Sequence, residues 1–163
     1  MLVAIAFPLH WLWEMVQAPL YAGMLQKSWY AATRLCTIAS VGDVFITLVA
    51  YAIVAALVKG RFWAFPLRSS PLQLSQSRPR YRSVAVRRIG LYLVIGIVIT
   101  AIAEFVNISV LHRWEYGPAM PRLLGFGVTP LAQWIIVPIL ILWLSRRVRF
   151  VYAGQEDFTR ALP

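Results

Sequence analysis

The chain has 163 residues, of which 60% are hydrophobic and only 13% are charged, and its mean hydropathy is +0.69. Because about a quarter of the residues in a soluble domain are normally charged, this composition excludes an ordinary soluble globular protein. The formal net charge of +10 does not indicate nucleic acid binding, since the basic residues lie between long apolar segments. The single cysteine, Cys36, excludes an internal disulfide and a paired-cysteine zinc site.

Four apolar segments are long enough to cross a bilayer as helices, which takes roughly 20 residues each. They cover residues 2–21, 37–58, 89–111 and 128–144. Unbroken apolar segments favour helices over the alternating strands of a barrel. The first segment lacks a basic start and contains His10, Glu14 and Gln17, so we expect it to be retained and not cleaved as a signal peptide. The sequence therefore predicts an all-α integral membrane bundle of four transmembrane helices in a single domain.

The basic residues predict the orientation of these spans. Twelve lie between the second and third spans or in the tail after the fourth, and four lie in the other two connections. The positive-inside rule places the richer side in the cytoplasm, so both termini are expected there. The twelve are Lys59, Arg61, Arg68, Arg78, Arg80, Arg82, Arg87, Arg88, Arg146, Arg147, Arg149 and Arg160.

The three connections between the spans differ in composition. Residues 22–36 include Trp29 and Tyr30 and are expected to form a short amphipathic helix in the outer interface. Residues 60–87 are rich in Ser, Pro and Arg and are predicted to be a mobile cytoplasmic loop that touches anionic lipid headgroups. No pattern of stacking aromatics accompanies these arginines, so nucleic acid is not an expected partner. Residues 112–127 combine aromatics with Gly and Pro and predict a compact outer cap.

Three of the six acidic residues, Glu14, Asp43 and Glu104, fall inside predicted spans. A carboxyl group at the centre of a membrane helix costs roughly 2.5–3.5 kcal/mol, so three of them on separate helices need partners or a wet cavity. Helical spacing gives each of them polar neighbours on the same face of its helix. The four polar faces consist of His10, Glu14 and Gln17; Ser40, Asp43 and Thr47; Thr100, Glu104 and Asn107; and Thr129 with Gln133.

With the predicted orientation, all four polar faces lie at a similar depth, between the midplane and the outer surface. For the hydroxyl residues we favour helix-to-helix hydrogen bonding, which contributes ~0.6 kcal/mol on average. The three carboxyl groups are more costly to insert than Asn or Gln, which would hydrogen-bond equally well. Their coincidence in depth therefore predicts a functional pocket in the outer half of the bilayer.

General acid–base chemistry on a lipophilic small molecule, or binding of one, is the first interpretation of this pocket. A carboxyl group in a low-dielectric site can hold and deliver a proton near neutral pH, and His10 beside Glu14 could relay it. Glu14 or Glu104 would then be the proton donor and Asp43 the base. Aromatic side chains could line an apolar cavity or face a cationic intermediate. The candidate ligand-binding residues are Trp13, Gln17, Tyr21, Asn107, Gln133 and Trp134.

Three other interpretations remain open. His10 and Glu14, four residues apart, could bind one metal ion that Asp43 and Glu104 complete, although only one histidine is well placed, and no cofactor is expected. Intramembrane carboxyls also mark ion paths, so the chain could be a small transporter or proton-conducting protein, although the inner half of each span is nearly free of charge. The polar face could also meet a partner chain, as in an accessory subunit of a membrane complex.

Two resemblances accompany these residues. The segments HWLWEMVQAPLY, SVGDVFITLVAY and WEYGPAMPRLLGFGVTPLAQW resemble a group of small bacterial four-helix membrane proteins with no assigned activity. More distantly, His10 and Glu14 at a spacing of four, with carboxyls on later helices, resemble the emopamil-binding and sigma-2 receptor (EXPERA-like) superfamily. That resemblance implies proton transfer by a histidine and carboxyl groups on a ring double bond. The last helix carries Gln133 directly before Trp134, where that superfamily has an Asn three residues before a Trp.

Overall fold

The computed structural model describes the backbone of residues 1–60, 63–64 and 71–160, and the side chains of residues 1–60, 63–64 and 83–148. This part of the chain is mostly helical, as predicted. Its helices are α1 (Leu2–Gln17), α2 (Trp29–Leu57), α3 (Pro71–Phe105) and α4 (Val128–Arg160). Three helical stretches within the described residues are long and apolar enough to cross a membrane: Trp29–Leu57, Ser83–Val110 and Val128–Val148.

Helix α1 is shorter than the predicted first span. It has 16 residues, which corresponds to about 24 Å at 1.5 Å per residue, against about 30 Å for the hydrocarbon core. The chain then continues as a 3₁₀ turn over Ala18–Leu20, which contains Pro19. The missing N–H and fixed φ of proline end the regular α-helix here. Residues 18–20 therefore extend α1 in a tighter conformation, and Tyr21 is extended.

Helix α2 begins earlier than predicted, at Trp29. The hydroxyl of Ser28 accepts a hydrogen bond from the backbone N–H of Ala31 at 3.3 Å, which caps the helix at this point. Residues 29–36 are thus the first two turns of α2, and the prediction of a separate amphipathic helix over 22–36 is wrong. The cap at Ser28 is followed by uninterrupted helix-compatible residues, so the chain has no reason to break before the apolar span.

Helix α3 also begins earlier than predicted, inside the segment 60–87 that the sequence predicts to be a loop. Residues 71–87 are helical, so the loop prediction is wrong over that range. The predicted contact of this segment with lipid headgroups falls partly on residues 61–62 and 65–70, which lie outside the described part. Pro71 stands at the first helical position, where its missing N–H costs no hydrogen bond.

Two residues of the same connection are buried between the helices. Trp63 is only 7% exposed and Ala64 only 1%. The ring of Trp63 lies between Tyr51 and Tyr92, with centroids 5.1 Å and 5.6 Å away, and its Nε1–H donates to the Tyr51 carbonyl at 3.3 Å. These aromatic residues fill the end of the interior that is remote from the carboxyl groups.

The helices surround a common interior. Helix α1 packs against α2 and α4, and α3 packs against the same two helices. One buried apolar cluster consists of Ala6, Val44, Val137 and Ile141. The second consists of Ala50, Val54, Trp63, Ala64, Tyr92 and Leu142. The polar side chains described below lie in this interior, beside the first cluster.

The segment 112–127 covers the end of α1. Strand β1 (Arg122–Leu123) pairs antiparallel with β2 (Phe126–Gly127). Leu124 and Gly125 connect them with φ values of +52° and +87°, the left-handed conformations of a tight hairpin turn. Earlier in the segment, Gly117 N–H donates to the Leu20 carbonyl at 2.8 Å. The segment is therefore joined by its backbone to the 3₁₀ turn after α1.

Candidate functional site

A hydrogen-bonded network joins α1, α2 and α4 in the interior. Gln133 lies between His10 and Asp43, and its Nε2 is 2.9 Å from His10 Nδ1 and 2.9 Å from Asp43 Oδ2. The other ring nitrogen, His10 Nε2, is 3.0 Å from Thr47 Oγ1. His10 and Thr47 are 0% exposed and Gln133 is 2% exposed. These four side chains form a fixed polar network beside the apolar cluster.

The network defines the roles of the histidine nitrogens. A carboxamide NH₂ group has two hydrogens, so Gln133 can donate to both His10 Nδ1 and Asp43 Oδ2. Nδ1 then accepts, and the ring proton lies on Nε2, which donates to Thr47 Oγ1. His10 Nδ1 and Asp43 Oδ2 are 3.8 Å apart, too far for a direct hydrogen bond. Gln133 therefore bridges the histidine and the carboxyl group.

The three intramembrane carboxyl groups predicted from the sequence interact with one another. Glu14 interacts electrostatically with Asp43, and Glu104 interacts electrostatically with both of them. The acidic side chains of α1, α2 and α3 thus form one cluster and do not point to separate sides of the protein.

Two residues that the sequence predicts to bind ligand, Trp13 and Gln17, lie beside Glu14 and hold it in place. Gln17 Nε2 donates to Glu14 Oε1 at 2.6 Å, while Gln17 Oε1 accepts from Trp13 Nε1 at 3.1 Å. Gln17 is only 3% exposed. Trp13 packs beside the apolar cluster of α1 and α4. Both side chains are committed to these internal contacts, and they orient the carboxyl group.

Trp134, another predicted ligand-binding residue, is completely buried. Its indole lies directly on Gly96 of α3, where a Cβ atom would overlap Cε3 and Cζ3 of the ring. Its centroid is 6.0 Å from that of the His10 ring. Among the described residues, Trp134 Nε1 has no hydrogen-bond partner. The indole of Trp134 therefore lies between the hydrogen-bonded network and helix α3.

Glu104 has a second partner that the sequence did not identify. Tyr116 Oη donates to Glu104 Oε2 at 2.6 Å, and Glu104 is 9% exposed. Tyr21, a predicted site residue, stacks against Tyr116 with centroids 5.8 Å apart. Burial, together with the hydrogen bond to Glu104, raises the pKa of the Tyr116 phenol, so it stays a neutral donor. Arg122 lies over the Tyr116 ring, 5.5 Å from its centroid.

The side chain of Asn107, another predicted site residue, has its hydrogen-bond partners outside the carboxyl cluster. Its Nδ2 donates to the Ala103 carbonyl at 2.7 Å, and its Oδ1 accepts from Arg113 at 3.5 Å. The cause is a π-helical turn over Val106–Val110. The wider turn changes the angular position of every residue after Phe105, so the spacing of three from Glu104 no longer places Asn107 on the same face.

A recess of about 220 Å³ opens on the α3 side of the cluster. Glu104 and Tyr116 form its polar wall, and the β1–β2 turn forms the opposite side. The other lining residues are Phe105, Ile108, Ser109, Leu124, Gly125 and Phe126. Among the residues that the structure describes, no group of three or more His, Cys, Asp or Glu side chains is arranged to hold a metal ion. The arrangement can hold a proton and an apolar ligand.

Comparison of the chain with protein-family models, with curated proteins and with solved structures found no match in any of the three. The description of the site therefore depends on its own geometry.

Proposed function

We propose that all four helices cross a bacterial inner membrane and that both termini are cytoplasmic. Helix α1 packs against two of the three helices that are long enough to span, which supports its own placement in the bilayer. Exposed Trp29 and Tyr30 begin α2. Near the end of the apolar stretch Val128–Val148 of α4, the guanidinium of Arg147 lies 5.4 Å from the centroid of the Trp143 ring. Aromatic residues at both ends, with arginines at one, are typical of the two interfaces of a membrane protein.

We propose that the carboxyl cluster binds a lipophilic small molecule and carries out acid–base chemistry on it. The observation that supports this most is the electrostatic interaction of three carboxyl groups from three different helices within one cluster. Neighbouring carboxylates repel one another unless one of them carries a proton. Helix-to-helix contacts do not need ionisable groups, because Asn and Gln would serve at a lower insertion cost. A pair of interacting carboxyls is a common device for holding a transferable proton.

Each residue has a role in this proposal. Glu104 borders the recess, so it is the carboxyl group that meets the ligand and exchanges a proton with it. Asp43 and Glu14 hold a further proton, which can replace the one that Glu104 gives up. His10 and Gln133 do not touch the ligand, and they position Asp43 through the hydrogen bonds of Gln133.

The proposal is tested by identifying what the protein carries out of the membrane. Native mass spectrometry of the wild type should detect one bound lipophilic species of defined mass. Glu14→Gln and Glu104→Gln should lose it, or lose its conversion, while remaining folded and inserted. Glu115→Gln is the matched control, because Glu115 is an exposed carboxyl of the segment 112–127. Equal retention and conversion in both cluster variants would overturn the acid–base proposal.

Proton conduction is the second candidate, and one observation favours it. The polar contacts continue from the carboxyl groups through His10 to Thr47. Two further residues with hydroxyl groups, Tyr92 on α3 and Ser145 on α4, are buried in the same helix interior. Liposomes containing the protein and a pH-sensitive dye would detect this activity. A proton flux that Thr47→Val abolishes would favour conduction, and the absence of any flux above protein-free liposomes would remove this candidate.

A further inference from the structure

The charge of the residues that line the recess beside Glu104 restricts which ligands the recess can bind. Its charged lining residue is the carboxyl group of Glu104, and no lysine or arginine is among the described residues that line it. Arg122, which contacts the lining residue Tyr116, is already engaged, since it donates to the Tyr116 carbonyl at 3.0 Å and lies over its ring. An anionic headgroup placed here would face Glu104 without a compensating cation, which is strongly unfavourable in a low-dielectric site.

The hydrogen-bonding capacity of the recess points to a donor on the ligand. Tyr116 uses its own proton on Glu104 Oε2. A carboxyl group has two oxygens and about four acceptor sites, so Glu104 can accept further hydrogen bonds. Apart from Ser109, the rest of the wall is apolar or aromatic, with Phe105, Ile108 and Phe126 among its largest members. A buried acceptor of this kind strongly disfavours a ligand that lacks the matching donor.

The β1–β2 hairpin shows from which side a ligand reaches this recess. Leu124, which lines the recess, is 91% exposed, and Leu123, which precedes it in the hairpin, is 59% exposed. Leu124 also adopts a left-handed conformation, which costs a leucine roughly 1 kcal/mol. Two leucines at an exposed tip are costly in water and favourable against acyl chains. The hairpin tip therefore fits the apolar edge of the outer leaflet, and the recess opens beside it.

We propose that the recess between α3 and the β1–β2 hairpin binds the end of a neutral lipophilic alcohol, which enters from the outer leaflet and donates its hydroxyl hydrogen bond to Glu104. This inference rests on the proposed function, because it names the class of ligand that the carboxyl cluster serves. The hydroxyl lies against the Glu104–Tyr116 pair, and the apolar body lies along Phe105 and Phe126 and extends past the hairpin into the lipid.

Three probes with the same ten-carbon chain test this inference in nanodiscs: decanol, decyl methyl ether and decanoate at alkaline pH. The ether lacks the donor and the decanoate carries a negative charge. Thermal stabilisation reports binding, since a ligand that binds only the folded state raises its stability by mass action. Decanol should stabilise the wild type, and the other two should give no shift above that of decane. Equal or greater stabilisation by the ether or by decanoate would overturn the inference.

The variant Glu104→Gln sharpens the test. Its carboxamide keeps the acceptor for Tyr116 and adds an N–H donor, so the variant should bind the ether as well as it binds decanol. Glu115→Gln should keep the wild-type preference, because Glu115 does not line the recess. An unchanged preference in Glu104→Gln would also overturn the inference. If the copurified species is lost in both cluster variants while decanol never binds, the proposed function is supported and the proposed alcohol site is refuted.

Discussion

The contact between Trp134 and Gly96 predicts an unusually large effect for one added methyl group. In Gly96→Ala the new Cβ would overlap two carbons of the six-membered ring of Trp134, which is 0% exposed and has no free space to move into. Overpacking of this kind costs about 1–3 kcal/mol. Replacing a helical glycine by alanine returns up to about 1 kcal/mol. We therefore expect Gly96→Ala to lower the free energy of unfolding by about 1–2 kcal/mol.

Gly90 provides a matched control on the same helix. A Cβ added at Gly90 meets nothing within 4 Å, so Gly90→Ala should be neutral or stabilising by up to about 1 kcal/mol. The assay is unfolding in mixed micelles by titration with a denaturing detergent, with both variants and the wild type measured together. A second variant, Trp134→Phe, removes the overlapping ring and should reduce the cost of Gly96→Ala by about 1 kcal/mol in a double-mutant cycle. Equal stabilities of the Gly96→Ala and Gly90→Ala proteins would refute this description of the α3–α4 contact.

Three further predictions concern variants that remove the hydrogen bonds of one side chain. Gln133→Leu leaves a histidine nitrogen and a carboxylate oxygen without their donor, and should cost about 1–3 kcal/mol for each in the same unfolding assay. Tyr116→Phe removes the bond to Glu104 and should cost about 1.5–3 kcal/mol, whereas Tyr30→Phe, at a residue 78% exposed, should cost nothing measurable. Because the unfolded phenol ionises near pH 10 and the folded one above it, stability should fall as the pH rises through about 10, and less steeply in Tyr116→Phe. Ser28→Ala removes the cap of α2 and should cost about 1 kcal/mol, and a glycine at that position only a few tenths.

The part of the site that the sequence predicts is the part built on regular helices. His10, Glu14 and Gln17 recur at helical spacing on α1, and Asp43 and Thr47 do so on α2. An undistorted helix keeps such residues on one face, and burial of that face then brings the groups together. The hydrogen bonds among His10, Asp43 and Gln133 follow from this arrangement, although which residue bridges the other two depends on distances that a sequence does not contain.

The parts that the sequence does not predict have identifiable physical causes. Asn107 leaves the shared face because a π-helical turn follows Phe105, and no residue type marks such a turn. Tyr116 reaches Glu104 from an irregular segment, to which no periodicity applies. The fit of Trp134 on Gly96 pairs two residues 38 positions apart, counted from 96 to 134, and depends on the register of α3 against α4. The early starts of α2 and α3 lie outside the apolar segments, where hydropathy contains no information about helix ends.

Infrared spectroscopy of the carboxyl groups is the most direct test of the contact between α1 and α2 on which the whole interpretation depends. A protonated carboxyl has a C=O stretching band distinct from that of a carboxylate, and comparison of wild type with Glu14→Gln isolates the contribution of Glu14. If Glu14 and Asp43 share a proton, that contribution includes a protonated band whose frequency changes when Asp43 is replaced by Asn. If the Glu14 contribution is identical with Asp or Asn at position 43, the two side chains do not touch, and the carboxyl cluster does not exist.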